Sequence, residues 1–337
     1  MKCGLTADRG NMEAALELKN VTKTFGSVTA VENLDLVIPN GGLYGFIGPN
    51  GAGKTTAIRM IMSILFPDSG EISVLNFTSA LEAKNRIGYL PEERGVYRKM
   101  RVGAFLYYIG SIKGIRDAGL NKSIRTSLER VGLGGIEKKR CEELSKGMLQ
   151  KVQFLAAIIH KPELLILDEP FSGLDPVSMR LLHDLILEEH QRGATILFST
   201  HVMPQAEDIC RHVVMIHQGR KVLDQPLDDI RRRYDPRTIE FDPLDSNADV
   251  SAISSLPGVE NIERNKSGYK IQLAEDTEPV EAMRWILNTE APARLELSRP
   301  RLEDIFIQIV SQTGDTDETK AKLKAGLVNA EDGGTEL

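Results

Sequence analysis

This chain of 337 residues has little with which to make disulfides: three cysteines, Cys3, Cys141 and Cys210, scattered and without a CxxC pair. A set so sparse and odd in number excludes a disulfide framework or a cysteine-based zinc site, and fits reduced thiols in a cytosolic protein. Long apolar runs are missing as well. No stretch approaches the roughly 18–20 uninterrupted apolar residues of a spanning helix, and the opening MKCGLTADRGN lacks the apolar core of a signal peptide. The chain is therefore expected not to cross a membrane by itself. It also has no excess of positive charge: the formal net charge is -6, which argues against a protein that coats nucleic acid. No internal repeat is present. The tripeptides Asn76-Phe77-Thr78 and Asn121-Lys122-Ser123 match the glycosylation pattern and are expected to be silent in the cytosol.

Hydrophobic residues make up 41% and charged residues 27% of the chain, enough for a genuine core, and the length suits one large domain plus a smaller one. Residues 1–15 read as a flexible extension, with Met12 opening a stretch that reads as a domain start. From Leu16 short apolar runs alternate with polar residues (Leu16 to Leu18, then Leu34 to Ile38), as half-buried antiparallel strands do. Leu43 to Ile47 enters a glycine-rich turn, followed by a helix carrying Ile58, Ile61 and Leu65 and stopped before Pro67. Helical periodicity spans about Val102 to Ile159, where Met148, Val152, Leu155 and Ile159 form one apolar stripe. Leu164 to Leu167 and Ala194 to Phe198, separated by a helix around Ser178 to Glu189, read as buried parallel strands.

The character changes near Asp235-Pro236. Strands are predicted at Thr238 to Phe241, Gly258 to Ile262, Tyr269 to Leu273 and Arg294 to Leu297, with helices over Val280 to Leu287 and Arg301 to Val310. The boundaries expected from this are a large domain over residues 16–230, a small α+β domain over 237–311, with Trp285 in its core, and a disordered tail over 312–337. Lys138-Lys139-Arg140 and Arg231-Arg232-Arg233 are basic clusters that read first as solvated faces.

Two segments carry the chemistry. Gly48-Pro49-Asn50-Gly51-Ala52-Gly53-Lys54-Thr55, followed by Thr56, matches GxxxxGK[ST] between a predicted strand and a predicted helix. Glycines let backbone N–H groups wrap an anion, and the helix adds its unsatisfied donors and positive dipole end. Lys54 then serves the β- and γ-phosphates of ATP, and the Thr55 hydroxyl serves Mg2+. The second segment, Leu164 to Pro170, is an apolar strand delivering Asp168 and Glu169 to its carboxyl end, where parallel sheets bind ligands. Asp168 would hold the metal and Glu169 would polarise the attacking water.

With three further segments the chain resembles the ABC ATPase family. Leu144-Ser145-Lys146-Gly147-Met148 is similar to the family signature LSGGQ, Ser172-Gly173-Leu174-Asp175 to the D-loop, and Ser199-Thr200-His201 to the switch histidine. Phe25 occupies the place of the aromatic that stacks on adenine. The resemblance covers about Leu16 to Asp228 and implies an α/β fold: a P-loop NTPase of ABC type with a mixed core sheet, an antiparallel β subdomain and a helical signature subdomain, here followed by a small α+β domain. It implies a head-to-tail homodimer in which Ser145, Lys146, Gly147 and Met148 of one subunit face the ATP of the other. His201 would contact the γ-phosphate, and Asp175 would lie in the D-loop.

Two departures stand out: Lys146 and Met148 replace Gly and Gln of the signature, and Glu92, in Tyr89 to Gly95, stands where the family has the Q-loop glutamine. Glu92 can still ligate Mg2+ but repels phosphate. Both variants resemble the ABC-2-type exporter ATPases, in particular the sodium-extrusion branch, and Pro300 to Phe306 resembles the end of their C-terminal domain. The resemblance implies a peripheral subunit on the inner face of the cell membrane. It would pair with separate membrane permease subunits through the segment from Glu92 to about Tyr108, with no nucleic acid as partner. A soluble ABC ATPase acting on ribosomes or DNA, and a nucleotide-dependent regulator, are the alternative readings.

Overall fold

The computed structural model describes residues 13–92, 95–116, 119–233, 237–245, 250–265, 268–274, 276–298 and 301–312. Of the extension expected over 1–15, residues 1–12 lie outside the described residues, but Ala14 and the buried Ala15 already belong to a strand. Of the tail expected over 312–337, Gln312 ends a helix and the rest lies outside the described residues, as do Asp235-Pro236, Glu93, Arg94 and Pro300.

Antiparallel strands β1 (Ala14–Phe25) and β2 (Val28–Pro39) are joined by a two-residue turn. In β2 the period-two pattern is literal: Leu34, Leu36 and Ile38 are buried while Asp35 and Val37 face solvent. Strand β3 (Leu43–Ile47) leads into α1 (Lys54–Ile61), and β4 (Ser69–Val74) completes a three-stranded sheet, β2-β1-β4. Helix α1 is shorter than the sequence pattern suggests. It ends at Ile61, and Ser63 turns the chain at φ 55, so Leu65 lies beyond it.

After β5 (Ile87–Leu90) come α2 (Val102–Ile112), α3 (Leu120–Arg130), a 3-10 turn (Cys141–Glu143) and α4 (Lys146–Ile158). Helix α4 is not the one-faced helix expected. Val152 and Leu155 are buried and Met148 and Ile159 half-buried, but Gln150, Gln153, Phe154 and Ala157 are buried too. A helix enclosed on most sides loses the clean stripe of a surface helix.

Strand β6 (Leu164–Asp168), α5 (Pro176–Gln191), β7 (Thr195–Thr200), α6 (Met203–Ile209), β8 (His212–His217) and β9 (Arg220–Pro226) finish the first unit. The six-stranded sheet has the order β5-β6-β7-β3-β8-β9, parallel except for β9. β3, β6 and β7 are buried at every position, which is why they read as continuous apolar runs. Because β7 lies between β6 and β3, the carboxyl ends of these three strands converge on one place.

The second compact unit runs from Leu227 to Ile309. It holds α7 (Leu227–Arg233), β10 (Thr238–Pro243), α8 (Ser251–Ser254), β11 (Val259–Arg264), β12 (Tyr269–Leu273), α9 (Pro279–Thr289) and β13 (Pro292–Ser298). The final helix, α10 (Leu302–Gln312), begins within it. Its sheet, β11-β12-β10-β13, is antiparallel throughout. Ile239, Phe241, Ile271 and Ile286 centre its core, with Trp285 packed against it. The unit runs over 227–309 rather than the expected 237–311, so α7, placed by the sequence at the end of the large domain and in the linker, belongs to it.

Candidate active site

The loop after β3 carries residues 48–53 and delivers Lys54 as the first residue of α1. Gly53 caps that helix in a left-handed conformation (φ 107), and a Cβ there would lie 2.3 Å from the Ala30 carbonyl oxygen. Only glycine lets the loop press so closely on β2. At the end of the β1–β2 hairpin Phe25, paired with Val28 across the turn, is 49% exposed. Lys23 lies 5.6 Å from the Phe25 ring centroid.

Lys54 is buried, and its Nζ donates to the carbonyls of Gly48 (2.6 Å) and Pro49 (3.1 Å). Burial lowers its pKa, opposed by the neighbouring carboxylates of Glu169, Asp168 and Glu92. Nζ is 3.9 Å from Glu169 Oε1.

Asp168, the last residue of β6, is fully buried. Its Oδ1 accepts from Ser199 Oγ (2.5 Å) and, more weakly, from Thr55 Oγ1 (3.4 Å). Its Oδ2 has no hydrogen-bond partner among the described residues. Burial raises the Asp168 pKa, against the hydrogen bonds from Ser199 and Thr55, while the charges of Glu92 and Glu169 add to the rise. A buried carboxylate oxygen without a donor is expensive unless a ligand or ion meets it.

Glu169 follows in the left-handed region, at φ 49. A non-glycine residue there is strained by about 1–3 kcal/mol and persists only where its surroundings fix it. Its N–H donates to the Ser199 carbonyl (3.1 Å) and Oγ (3.3 Å). On the side chain, Oε1 meets His201 Nδ1 at 2.8 Å and Oε2 accepts weakly from Thr200 Oγ1 (3.4 Å). Thus Lys54, Thr55, Glu92, Asp168, Glu169 and His201 are brought together.

The remaining candidates lie outside that cluster of contacts. Ser145 caps α4, its Oγ accepting from Met148 N (3.3 Å). Ser145 and Lys146 are exposed, and Gly147 and Met148 are half-buried, with Gly147 facing Leu174. Asp175 caps α5, with Oδ1 accepting from Ser178 N (2.9 Å) and Oδ2 from Ser178 Oγ (2.6 Å). These bonds lower its pKa. Of the basic clusters, Lys138, Lys139 and Arg140 are exposed, with Arg140 3.4 Å from Glu142.

Three contacts had no sequence expectation. Ser199 joins Asp168 to Glu169, Gln150 Nε2 donates to the Pro170 carbonyl (3.0 Å), and Gln205 Oε1 accepts from Thr200 Oγ1 (2.9 Å).

Comparison with known proteins bears on this geometry directly. The model of the family described as "ABC transporter" matches residues 31–172, and that of the "ATP-binding protein DrrA1-3-like, C-terminal domain" matches residues 226–310. The "Uncharacterized ABC transporter ATP-binding protein YhaQ" of Bacillus subtilis is 40% identical, over 88% of this chain and 98% of its own length. This chain belongs to the ABC transporter ATP-binding proteins. They are ATPases coupled to transport, so this chain is an ATP-binding subunit of that kind. The "Bacitracin transport ATP-binding protein BcrA" of Bacillus licheniformis is similar at 32% identity, over 89% of this chain and 98% of its own. The solved "Structure of ATP binding subunit of ABC transporter" is 32% identical and superimposes with a TM-score of 0.61 over 65% of this chain and 93% of its own. The α/β fold with a mixed core sheet, an antiparallel β subdomain and a small C-terminal domain agrees with these neighbours. Among the described residues no helix is long and apolar enough to cross a membrane.

Proposed function

We propose that this ATP-binding subunit works as one of a head-to-tail pair on separate membrane permease subunits of an exporter, with the cluster around Asp168 as its hydrolytic centre. One observation carries the centre: the buried, unpartnered Asp168 Oδ2 at the end of β6, with the Thr55 hydroxyl, Lys54 and Glu169 beside it. The oxygen donors there, the Asp168 carboxylate with its Oδ2 free among the described residues and the Thr55 hydroxyl, suit Mg2+, which takes one or two protein ligands and fills its shell with phosphate oxygens and water. Thr55 and Asp168 would hold it, with Glu92 within electrostatic reach. Bound there, Mg2+ would neutralise phosphate charge.

Backbone N–H groups of residues 48–53 and the start of α1 would cradle the phosphates of ATP. Phe25 would stack on the adenine. Lys54 would exchange the Gly48 and Pro49 carbonyls for β- and γ-phosphate oxygens. Glu169 would accept the proton of the attacking water as the water oxygen bonds the γ-phosphorus and the bond from that phosphorus to the β–γ bridging oxygen breaks, with ADP as the leaving group. His201, whose Nδ1 lies 2.8 Å from Glu169 Oε1, would donate an N–H to the γ-phosphate. Ser145, Lys146, Gly147 and Met148 would reach the nucleotide of the second subunit, and Asp175 would stand at that interface. The permease contact is assigned to the segment from Glu92 to Tyr108, supported by the exposed Tyr97, Tyr107 and Tyr108. Such an assembly would keep the chain on the cytoplasmic face of the membrane.

The test is detergent-solubilised co-purification of tagged Glu169→Gln from its native cells with ATP and Mg2+. An integral membrane protein in fixed stoichiometry is the expected result, with turnover of the variant reduced about 10²–10⁴-fold, the usual worth of a general base. Ribosomal or DNA-bound material, or a lone soluble homodimer, would defeat the transporter reading. Near-normal turnover would defeat the assignment of Glu169.

A further inference from the structure

We infer that Ser199 is a positioning residue for hydrolysis: through one hydroxyl it selects the Asp168 oxygen that meets the metal and holds the peptide that carries Glu169. The inference rests on the reading of Asp168 as metal ligand. Ser199 lies in β7, fully buried, and pairs with Asp168 across the parallel β6–β7 ladder. Its Oγ–H donates to Asp168 Oδ1, and its Oγ lone pair receives the Glu169 N–H, which is shared with the Ser199 carbonyl.

The consequences follow from the bookkeeping of donors. A carboxylate rotates about its bond to Cβ unless one oxygen is tied. Here Oδ1 is tied at 2.5 Å by Ser199, so of the two oxygens Oδ2 is left without a donor among the described residues. At the same time Glu169 sits at φ 49, a strained backbone that needs an external hold, and Ser199 provides both acceptors for its N–H. Among the described residues no other side chain hydrogen-bonds both Asp168 and Glu169. Thr55 reaches Asp168 only at 3.4 Å, and Thr200 reaches Glu169 only at 3.4 Å. Groups that orient a metal ligand in this way are usually worth about 10–100-fold in metal affinity.

The experiment uses the full chain as wild type, Ser199→Ala, Ser199→Thr and Asp168→Asn. Three readouts are taken: ATP binding in EDTA, Mn2+ affinity of the complex with a non-hydrolysable ATP analogue by electron paramagnetic resonance, and Mg2+-dependent turnover. In Ser199→Ala, metal-free ATP binding should match wild type, Mn2+ affinity should fall about 10–100-fold and turnover should fall with it. Ser199→Thr, which restores the hydroxyl, should recover both. If Asp168→Asn loses Mn2+ affinity while Ser199→Ala keeps it, Ser199 has no positioning role. A parallel loss of metal-free ATP binding in Ser199→Ala would show general damage to the loop and overturn the inference, as would a Ser199→Thr variant that binds metal-free ATP like wild type yet recovers no Mn2+ affinity. If Asp168→Asn itself binds Mn2+ normally, the reading of Asp168 falls, and Ser199 with it.

Discussion

Replacing Gly53 by Ala tests how tightly the phosphate loop is pressed against the β1–β2 hairpin. Two separate penalties arise. At φ 107 an alanine is strained by about 1–3 kcal/mol. Its Cβ would also stand 2.3 Å from the Ala30 carbonyl oxygen and 3.5 Å from Val31 Cγ2. That carbonyl belongs to backbone in β2, which is locked to β1 by its ladder, so relief requires moving the hairpin. Overpacking of this kind adds about 1–3 kcal/mol. A total near 4 kcal/mol corresponds to a fall in Tm of roughly 8–16 °C for a domain of this size. Gly51→Ala is the matched control: φ is 78, but nothing lies within 4 Å of the added Cβ, so only the strain of about 1–3 kcal/mol remains. Differential scanning calorimetry of the two variants isolates the collision from the strain. ATP affinity should follow the same order, since displacement of Gly53 shifts Lys54 and the start of α1. Equal Tm values for the two variants would refute the close packing of loop on hairpin.

Two further perturbations separate binding from stability. Lys54→Ala removes a buried ammonium that donates to Gly48 and Pro49; one charge-assisted bond is worth about 1.5–3 kcal/mol. Titration calorimetry should therefore show ATP affinity reduced roughly 10–100-fold, and unchanged affinity would contradict the loop assignment. His160 is held by its Nε2 on the Ile87 carbonyl (3.0 Å), with Nδ1 buried and without a partner among the described residues. Burial first, and the Lys113 charge second, push its pKa from 6.5 down to about 4. Between those values the unfolded chain binds a proton that the folded chain does not, so stability is lost as pH falls from about 6.5 to about 4. His160→Gln should flatten that part of the urea-midpoint profile relative to wild type, and parallel profiles would rule out His160 as its source.

What the sequence made legible was chemistry that is local along the chain. Residues 48–55 are a single loop and helix start, and glycine spacing there states its own backbone geometry; Asp168 and Glu169 end an apolar strand, and strand ends in parallel sheets are ligand sites. The small domain was legible from runs such as Thr238 to Phe241, while its start at Leu227, its end at Ile309 and the short helix α8 were not. Strands β8 and β9 escaped. His212 to His217 is apolar but flanked by histidines, and β9 is half-buried along most of its length, so neither gives a clean period. Helix α4 misled in the opposite direction, since enclosure on most sides makes buried Gln150 and Gln153 look like a solvent face.

Ser199 escaped for a different reason: its partners lie 31 and 30 residues away, across a strand boundary. Yet the route to it existed. A strand, a helix and a second apolar strand form a crossover, and consecutive parallel strands of this kind are usually adjacent. Setting β7 beside β6 aligns their ends, and the first hydroxyl after Leu197-Phe198 then falls opposite Asp168, as the ladder has it. The register, more than the motif, assigns a buried serine to the carboxylates beside it.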